Sequence, residues 1–390
     1  MRIDCATARN HLHIFGFYMQ IHQIIGPARI LFFVYFFVLH CSSVTMEAET
    51  EMARQSNRTD CNATGFHLTG LCPEEVAILE AATQHPAFKA QISIEAEDFR
   101  NLTEQSNIDL ATAIFFQRVN RQSMSDAYIR RIDTIVRRTQ IEGLPDYSDR
   151  NVLLAMVPGM FYTLNTSIGG DGRQIRESAE KLGMQSHLIL MEPDGSLDEN
   201  AQYLCDWLQK TTAEKIILAS ISKGGSDIKR AIQLCADSSG MRKVRAWLNI
   251  GGIMRGSHLI NEIDEHWSTR WRAKTFFWKY GFDYDALLSV RVYPGSPLLL
   301  PMRIPAHMRV INVIAVPLQM HVTNRARESH ALLSRHGPND GLALLTYAYL
   351  PGAINFAWWG NDHYFAGQNN REEYLFAGLI EIMEQMHTLH

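Results

Sequence analysis

The chain of 390 residues lacks a strong charge of either sign, because Lys+Arg 37 against Asp+Glu 41 leave a net charge of −4. Without a basic excess it has no general attraction for phosphate backbones, which argues against nucleic acid as a partner. It also lacks an apolar run that would span a bilayer. The run Ile30–Leu39 (ILFFVYFFVL) reaches only about 15 Å as a helix, half of a hydrocarbon core of roughly 30 Å. Neither a G-x-x-x-x-G-K-[ST] nor a G-x-G-x-x-G pattern is present, so no phosphate-cradling loop is announced. With 46% hydrophobic and 20% charged residues the chain can bury a sizeable core, and disordered or fibrous classes are excluded.

The short apolar run has Arg29 before it and the small residues Ser42 and Ser43 after it. This pattern predicts a signal peptide over 1–43 and export to the periplasm or the cell exterior, with an uncleaved N-terminal anchor as the alternative. Residues 44–72 are polar and show no apolar periodicity, and they read as a linker. Of six cysteines, Cys5 and Cys41 would leave with the signal. Cys61 and Cys72 bracket a loop that a disulfide could close. Cys205 and Cys235 fall in two helical patterns that could be neighbours. For Cys205 and Cys235 a bridge and buried free thiols both remain open, since four cysteines allow three pairings.

Residues 73–145 read as an N-terminal helical segment. Tyr128, Ile132, Ile135 and Val136 follow helical spacing, and Arg130, Arg131, Arg137 and Arg138 fall mainly on the opposite face, as a solvated surface would. From 146 to 390 the pattern becomes α/β. Strands are predicted at Val152–Val157, His187–Met191, Lys215–Ala219, Val244–Ile250, Val310–Val316 and Ile354–Trp358. Helices are predicted between and after them at Arg173–Leu182, Ser196–Gln209, Asp227–Cys235, Gly341–Tyr349 and Glu372–Met386. Strands alternating with helices predict a mostly parallel sheet covered on both faces. An insertion at 253–308 breaks the rhythm and mixes Trp267, Trp271, Phe276, Phe277, Trp278 and Tyr280 with Arg270, Arg272, Lys274 and Lys279. It reads as a cap over an apolar pocket or as an amphipathic surface that meets lipid, with plain packing as the alternative.

Three places carry chemistry. The strand ending at Ala219 runs into Ser220-Ile221-Ser222-Lys223-Gly224-Gly225 and then a helix. A serine on such a sharp strand-to-helix turn needs small residues two before and two after it, and Ser220 and Gly224 meet this need. Ser222 is therefore the candidate nucleophile, and Ser226 the alternative. The backbone N–H of Lys223 and that of Met160, in Val157-Pro158-Gly159-Met160, are the candidate oxyanion donors. Asp340, in Gly337-Pro338-Asn339-Asp340-Gly341, and His363, in Gly360-Asn361-Asp362-His363-Tyr364, each follow a strand and complete the order nucleophile, acid, base. Asp362 is the alternative acid, disfavoured because it adjoins the base.

At VPGM, SISKGG, GGIMRGS, GPNDG and NDHYF the chain resembles the α/β-hydrolase superfamily, in particular its secreted bacterial lipases and esterases, over roughly Asn151 to His390. The resemblance implies an α/β-hydrolase fold and a serine hydrolase of carboxylic esters with Ser222, Asp340 and His363 as its triad. It implies no dissociable cofactor and a small-molecule or lipid ester as substrate. Departures are Ser220 in place of glycine and Pro158 in place of histidine. No Asp stands two residues after His363, which argues against a calcium site there. An acyltransferase or thioesterase would use the same residues, and a non-catalytic binding protein could keep the fold.

Overall fold

Five helices come first in the computed structural model, which describes residues 71–164, 169–365 and 372–385. They are α1 (Pro73–Gln84), α2 (Pro86–Lys89), α3 (Ala96–Gln105), α4 (Ile108–Asn120) and α5 (Ser123–Glu142). The signal peptide expected at 1–43 and nearly all of the linker at 44–72 lie outside the described residues. Cys72 is disulfide-bonded, and Cys61, its expected partner, also lies outside them.

Six short strands follow, and all but the second are mainly apolar, a composition suited to strands buried on both faces. They are β1 (Leu153–Val157), β2 (Gln185–Leu188), β3 (Ile216–Ile221), β4 (Val244–Ile250), β5 (Arg309–Val316) and β6 (Ile354–Trp359). All pair in parallel in the order β2-β1-β3-β4-β5-β6. The chain steps from β1 to one side and then returns to place β3 on the other. That reversal opens a crevice at the carboxyl ends of β1 and β3, where α/β sheets bind ligands.

The strand expected at His187–Met191 lies earlier, at Gln185–Leu188. As an edge strand it exposes alternate residues, so polar Gln185 and His187 fit it, whereas Ile189 and Met191 are buried beyond the ladder. The helix expected from Gly341 to Tyr349 shrinks to Leu345–Ala348. The helix expected from Asp227 begins at Lys223, directly after the candidate nucleophile.

Helices α6 (Arg173–Lys181), α7 (Leu197–Lys210) and α8 (Lys223–Cys235) connect the first four strands. On one face of the sheet α5, α6 and the C-terminal helix bury Tyr128, Ile132, Ile175, Leu375 and Phe376 against Leu154, Ala219 and Phe356. On the other face α7 and α8 bury Leu204, Leu208, Ile228 and Ile232. The same face, over β5 and β6, is covered by Phe115 and Phe116 of α4. The N-terminal helices thus cover both faces of the sheet and belong to the one compact unit, Asp60–His390, that holds every described residue. Among the described residues no strand precedes Leu153. Arg131 and Arg138 do not simply face solvent, because both pair with Glu381 of the C-terminal helix. Cys205 of α7 and Cys235 of α8 form a disulfide.

The insertion between β4 and β5 folds into α9 (His258–Glu265), α10 (Trp267–Tyr280) and α11 (Tyr284–Leu288). Ile260, Phe277, Tyr284, Leu287 and Leu298 give it a small core of its own. Lys229 of α8, 4% exposed, ties both ends down by donating to Met254 O at 2.9 Å and Leu298 O at 2.7 Å. After β5 come α12 (Arg327–Leu333), α13 (Leu345–Ala348) and, after β6, α14 (Glu372–Gln385). Among the described residues no helix is long and apolar enough to cross a membrane.

Candidate active site

Ser222 sits between the end of β3 and the start of α8 with φ 51° and ψ −123°, a conformation that non-glycine residues rarely adopt. Gly224 makes this turn fit. A side chain there would meet the carbonyl oxygens of Val157 and Pro158 at 2.5 Å, so the backbone of β1 passes where only glycine leaves room. Ser220 departs from the usual glycine for a visible reason. Its hydroxyl accepts from Trp247 Nε1 at 2.8 Å and donates to Asn249 Oδ1 at 2.8 Å.

That bond begins a row of side-chain amides under the site. Asn249 donates to Asn312 Oδ1 at 2.7 Å, and Asn312 donates to Asn355 Oδ1 at 2.7 Å. The four residues occupy one register row across β3, β4, β5 and β6. All are buried, so each bond forms where water cannot compete and a missing partner would cost about 1–3 kcal/mol. The ladder was not anticipated from sequence. Its signal was one asparagine in each of three mainly apolar strands.

The carboxyl ends of β3, β5 and β6 bring the predicted triad together. His363 Nε2 lies 2.9 Å from Ser222 Oγ, and His363 Nδ1 lies 2.8 Å from Asp340 Oδ2. The other carboxylate oxygen of Asp340 accepts from the N–H groups of Leu342 and Ala343 at 2.8 and 2.7 Å, so the acid is locked in place. Those two bonds also explain why no helix starts at Gly341. Burial pulls the His363 pKa down, but the charge and hydrogen bond of Asp340 and the charge of Asp362 outweigh it, and the pKa stands above the ordinary histidine value.

Both alternatives have other partners. Asp362 accepts from the N–H of Thr323 and of Tyr364, and Ser226 donates its hydroxyl proton to Ile253 O. Met160 and Lys223 line the same cleft as Ser222. Among the described residues neither backbone N–H has a hydrogen-bond acceptor, which leaves both free for a ligand oxygen. The Lys223 side chain is not free, because its ammonium pairs with buried Asp227 at 2.7 Å.

The cleft has a volume of about 330 Å³. Its wall is mostly apolar, with Ile175, Ile253, Leu259, Ile260, Leu287 and Val290, the last five from the insertion. Among the described residues no cluster of three His, Cys, Asp or Glu side chains is placed to hold a metal ion.

The N-terminal helices contribute from behind. Glu75 of α1, fully buried, accepts from Trp359 Nε1 at 2.8 Å and meets His321 Nε2 at 2.9 Å. Leu318 N–H donates to His321 Nδ1, so the proton of that ring sits on Nε2 and points at the carboxylate. Burial opposes the charge of Glu75, but His321, Cys72 N–H and Trp359 hold its carboxyl below the usual range. One acidic side chain thereby fastens the ends of β5 and β6, the strands that deliver Asp340 and His363.

The strand order, the serine turn and the three converging loops define a protein of α/β-hydrolase fold, and the resemblance to that superfamily holds in three dimensions. No protein-family model and no curated protein matches the chain. Among solved structures it is similar to a metagenomic carboxyl esterase, with 17% identity over 62% of this chain and 78% of that one and a TM-score of 0.49. It is also similar to the Bacillus licheniformis lipase BlEst2 in its propeptide form, with 22% identity over 60% of this chain and 51% of the other and a TM-score of 0.46. The mature form of that lipase gives 20% identity over 62% and 93% and a TM-score of 0.43.

Proposed function

We propose that the protein is a serine hydrolase that cleaves carboxylic esters with apolar acyl groups through an acyl-enzyme on Ser222. The observation that carries this reading is the continuous Ser222–His363–Asp340 hydrogen-bond chain at the floor of a mainly apolar cleft. Ser222 Oγ attacks the ester carbonyl carbon while His363 Nε2 takes its proton, and Asp340 stabilises the imidazolium. The N–H groups of Met160 and Lys223 receive the oxyanion. His363 then protonates the departing alkoxide, and a water deprotonated by His363 releases the acid and restores Ser222.

Export is proposed on the apolar run at 30–39 and on the Cys205–Cys235 disulfide, a bond that persists in oxidising compartments. Lipid contact is proposed for α10. Its Trp267, Trp271 and Trp278 are 76%, 57% and 83% exposed, beside Arg270, Lys274 and Lys279. Tryptophan and cationic side chains on one surface suit the boundary of an anionic bilayer.

Labelling with a fluorophosphonate tests the central proposal, since that reagent needs an activated serine. Labelling of Ser222 together with turnover of short p-nitrophenyl esters, both lost in Ser222→Ala, is the expected result. Label absent from Ser222 in folded protein would favour a binding protein of hydrolase fold, and acyl transfer to an added alcohol in preference to water would favour an acyltransferase.

A further inference from the structure

Phe161 follows Met160, and it is a second non-glycine residue of the site held at positive φ, 58°. A non-glycine residue rarely adopts the left-handed region, so something must hold the aromatic residue there. Two kinds of contact do. Its N–H donates to Pro193 O at 3.0 Å, and its carbonyl accepts from Leu164 N–H at 2.9 Å. Its ring lies among three rings of the insertion, with centroids 4.9 Å from Phe282, 5.2 Å from Phe277 and 6.2 Å from Phe276.

The same corner is closed from the insertion side. Gly281, at φ 72°, ends α10, and Phe282 N–H turns back to Phe277 O at 2.8 Å. Asp283 N–H then donates to Asp194 Oδ2 at 2.6 Å, next to the Pro193 that accepts from Phe161. Phe161 is therefore held on two sides, by its N–H on the Pro193–Asp194 turn and by its ring on Phe277 and Phe282 at the end of α10. Its backbone carries the peptide after Met160, whose N–H points at no protein acceptor among the described residues. Gly159, one residue earlier, passes close enough that a side chain there would touch Ser222 Cβ at 3.5 Å.

We infer that Phe161 is a positioning residue, and that Phe277 and Phe282 of the insertion act through it to aim the Met160 N–H at the oxyanion. The inference rests on the hydrolase reading of the site and assigns the insertion a part in the chemical step besides walling the cleft. An oxyanion donor acts only within hydrogen-bond range of where charge develops, so a shift of about 1 Å weakens turnover more than substrate binding.

The test uses Phe282→Ala and Phe161→Leu in the full chain, with p-nitrophenyl butyrate as a soluble ester and active sites counted by exhaustive fluorophosphonate labelling. Counting removes misfolded protein from the comparison. The expected result is a fall in kcat per labelled site of about 10-fold with KM within about 2-fold. The inhibition constant of phenylboronic acid, which forms a tetrahedral adduct on the serine, should rise by a similar factor, and Phe282→Tyr should restore both. Unchanged kcat per labelled site in both variants would overturn the inference while leaving the hydrolase reading intact, as would a loss carried wholly by KM. Absence of label on Ser222 in the unaltered chain would overturn both.

Discussion

The floor and the roof of the cleft are built on opposite principles. The floor, from β3 to β6, is a lattice of hydrogen bonds in which Ser220, Asn249, Asn312, Asn355, Asp340 and His363 are all buried. The roof, α9 to α11, holds together through ring contacts, and much of α10 faces solvent. Hydrogen bonds in a dry interior are directional and unforgiving, whereas aromatic contacts tolerate small displacements. The difference separates duties. The floor holds Ser222, His363 and Asp340 in one arrangement, and the roof can adjust to what enters the cleft.

Changes in the floor should therefore hurt most. Asp340→Asn should cut kcat by about 10⁴-fold, as expected when the imidazole loses the acid that sets its tautomer. A pH–rate profile of the unaltered chain should show its acid limb above the ordinary histidine value of 6.5, because His363 works as a base only when neutral and its pKa is raised. An acid limb at or below that value would break the assignment of base and acid. Asn312→Leu takes away the oxygen acceptor of Asn249 Nδ2 and the amide donor to Asn355 Oδ1 and Ala348 O, and should cost about 2–4 kcal/mol in urea unfolding. A cost no larger than that of a surface change would deny the ladder its role.

The seam between floor and roof should show in the pH dependence of stability. Burial, and to a lesser degree Arg255, pushes the Lys229 pKa down from 10.5 to about 8. The folded chain then holds fewer protons than the unfolded one between those values, so stability should rise as pH increases from about 8. Readings are best kept below pH 9.5, since Tyr147 and Tyr284, pushed up to about 12, give the opposite slope once unfolded tyrosines ionise. Lys229→Met should flatten the rise, and an unchanged slope would place its origin elsewhere. Smallest of all should be the effect of Trp271→Ser with Trp278→Ser, within about 0.5 kcal/mol in stability. Those two changes should still weaken sedimentation with phosphatidylglycerol vesicles, and undiminished binding would refute the lipid contact.

The parts of this contrast differ in how they could be read from sequence. β4 matches its predicted bounds, Val244–Ile250, because a parallel strand buried on both faces reads as a mainly apolar run. Ser222, Asp340 and His363 were legible because each stands on a loop after a strand, with small or turn-forming neighbours whose types follow from the bends they make. The start of α8 was not, since Lys223-Gly224-Gly225 has poor helix propensity and is held helical by packing against β1. β2 was misplaced because an edge strand need not be apolar. The side-chain ladder and the grip on Phe161 depend on residues far apart in the chain, and no local pattern reports which of them meet.

The distance of 141 residues between Ser222 and His363 also has a meaning in time. At about 5–20 residues per second, the ribosome adds the histidine on the order of ten seconds after the serine. During that interval a growing chain carries a hydroxyl at position 222 with no His363 imidazole to take its proton.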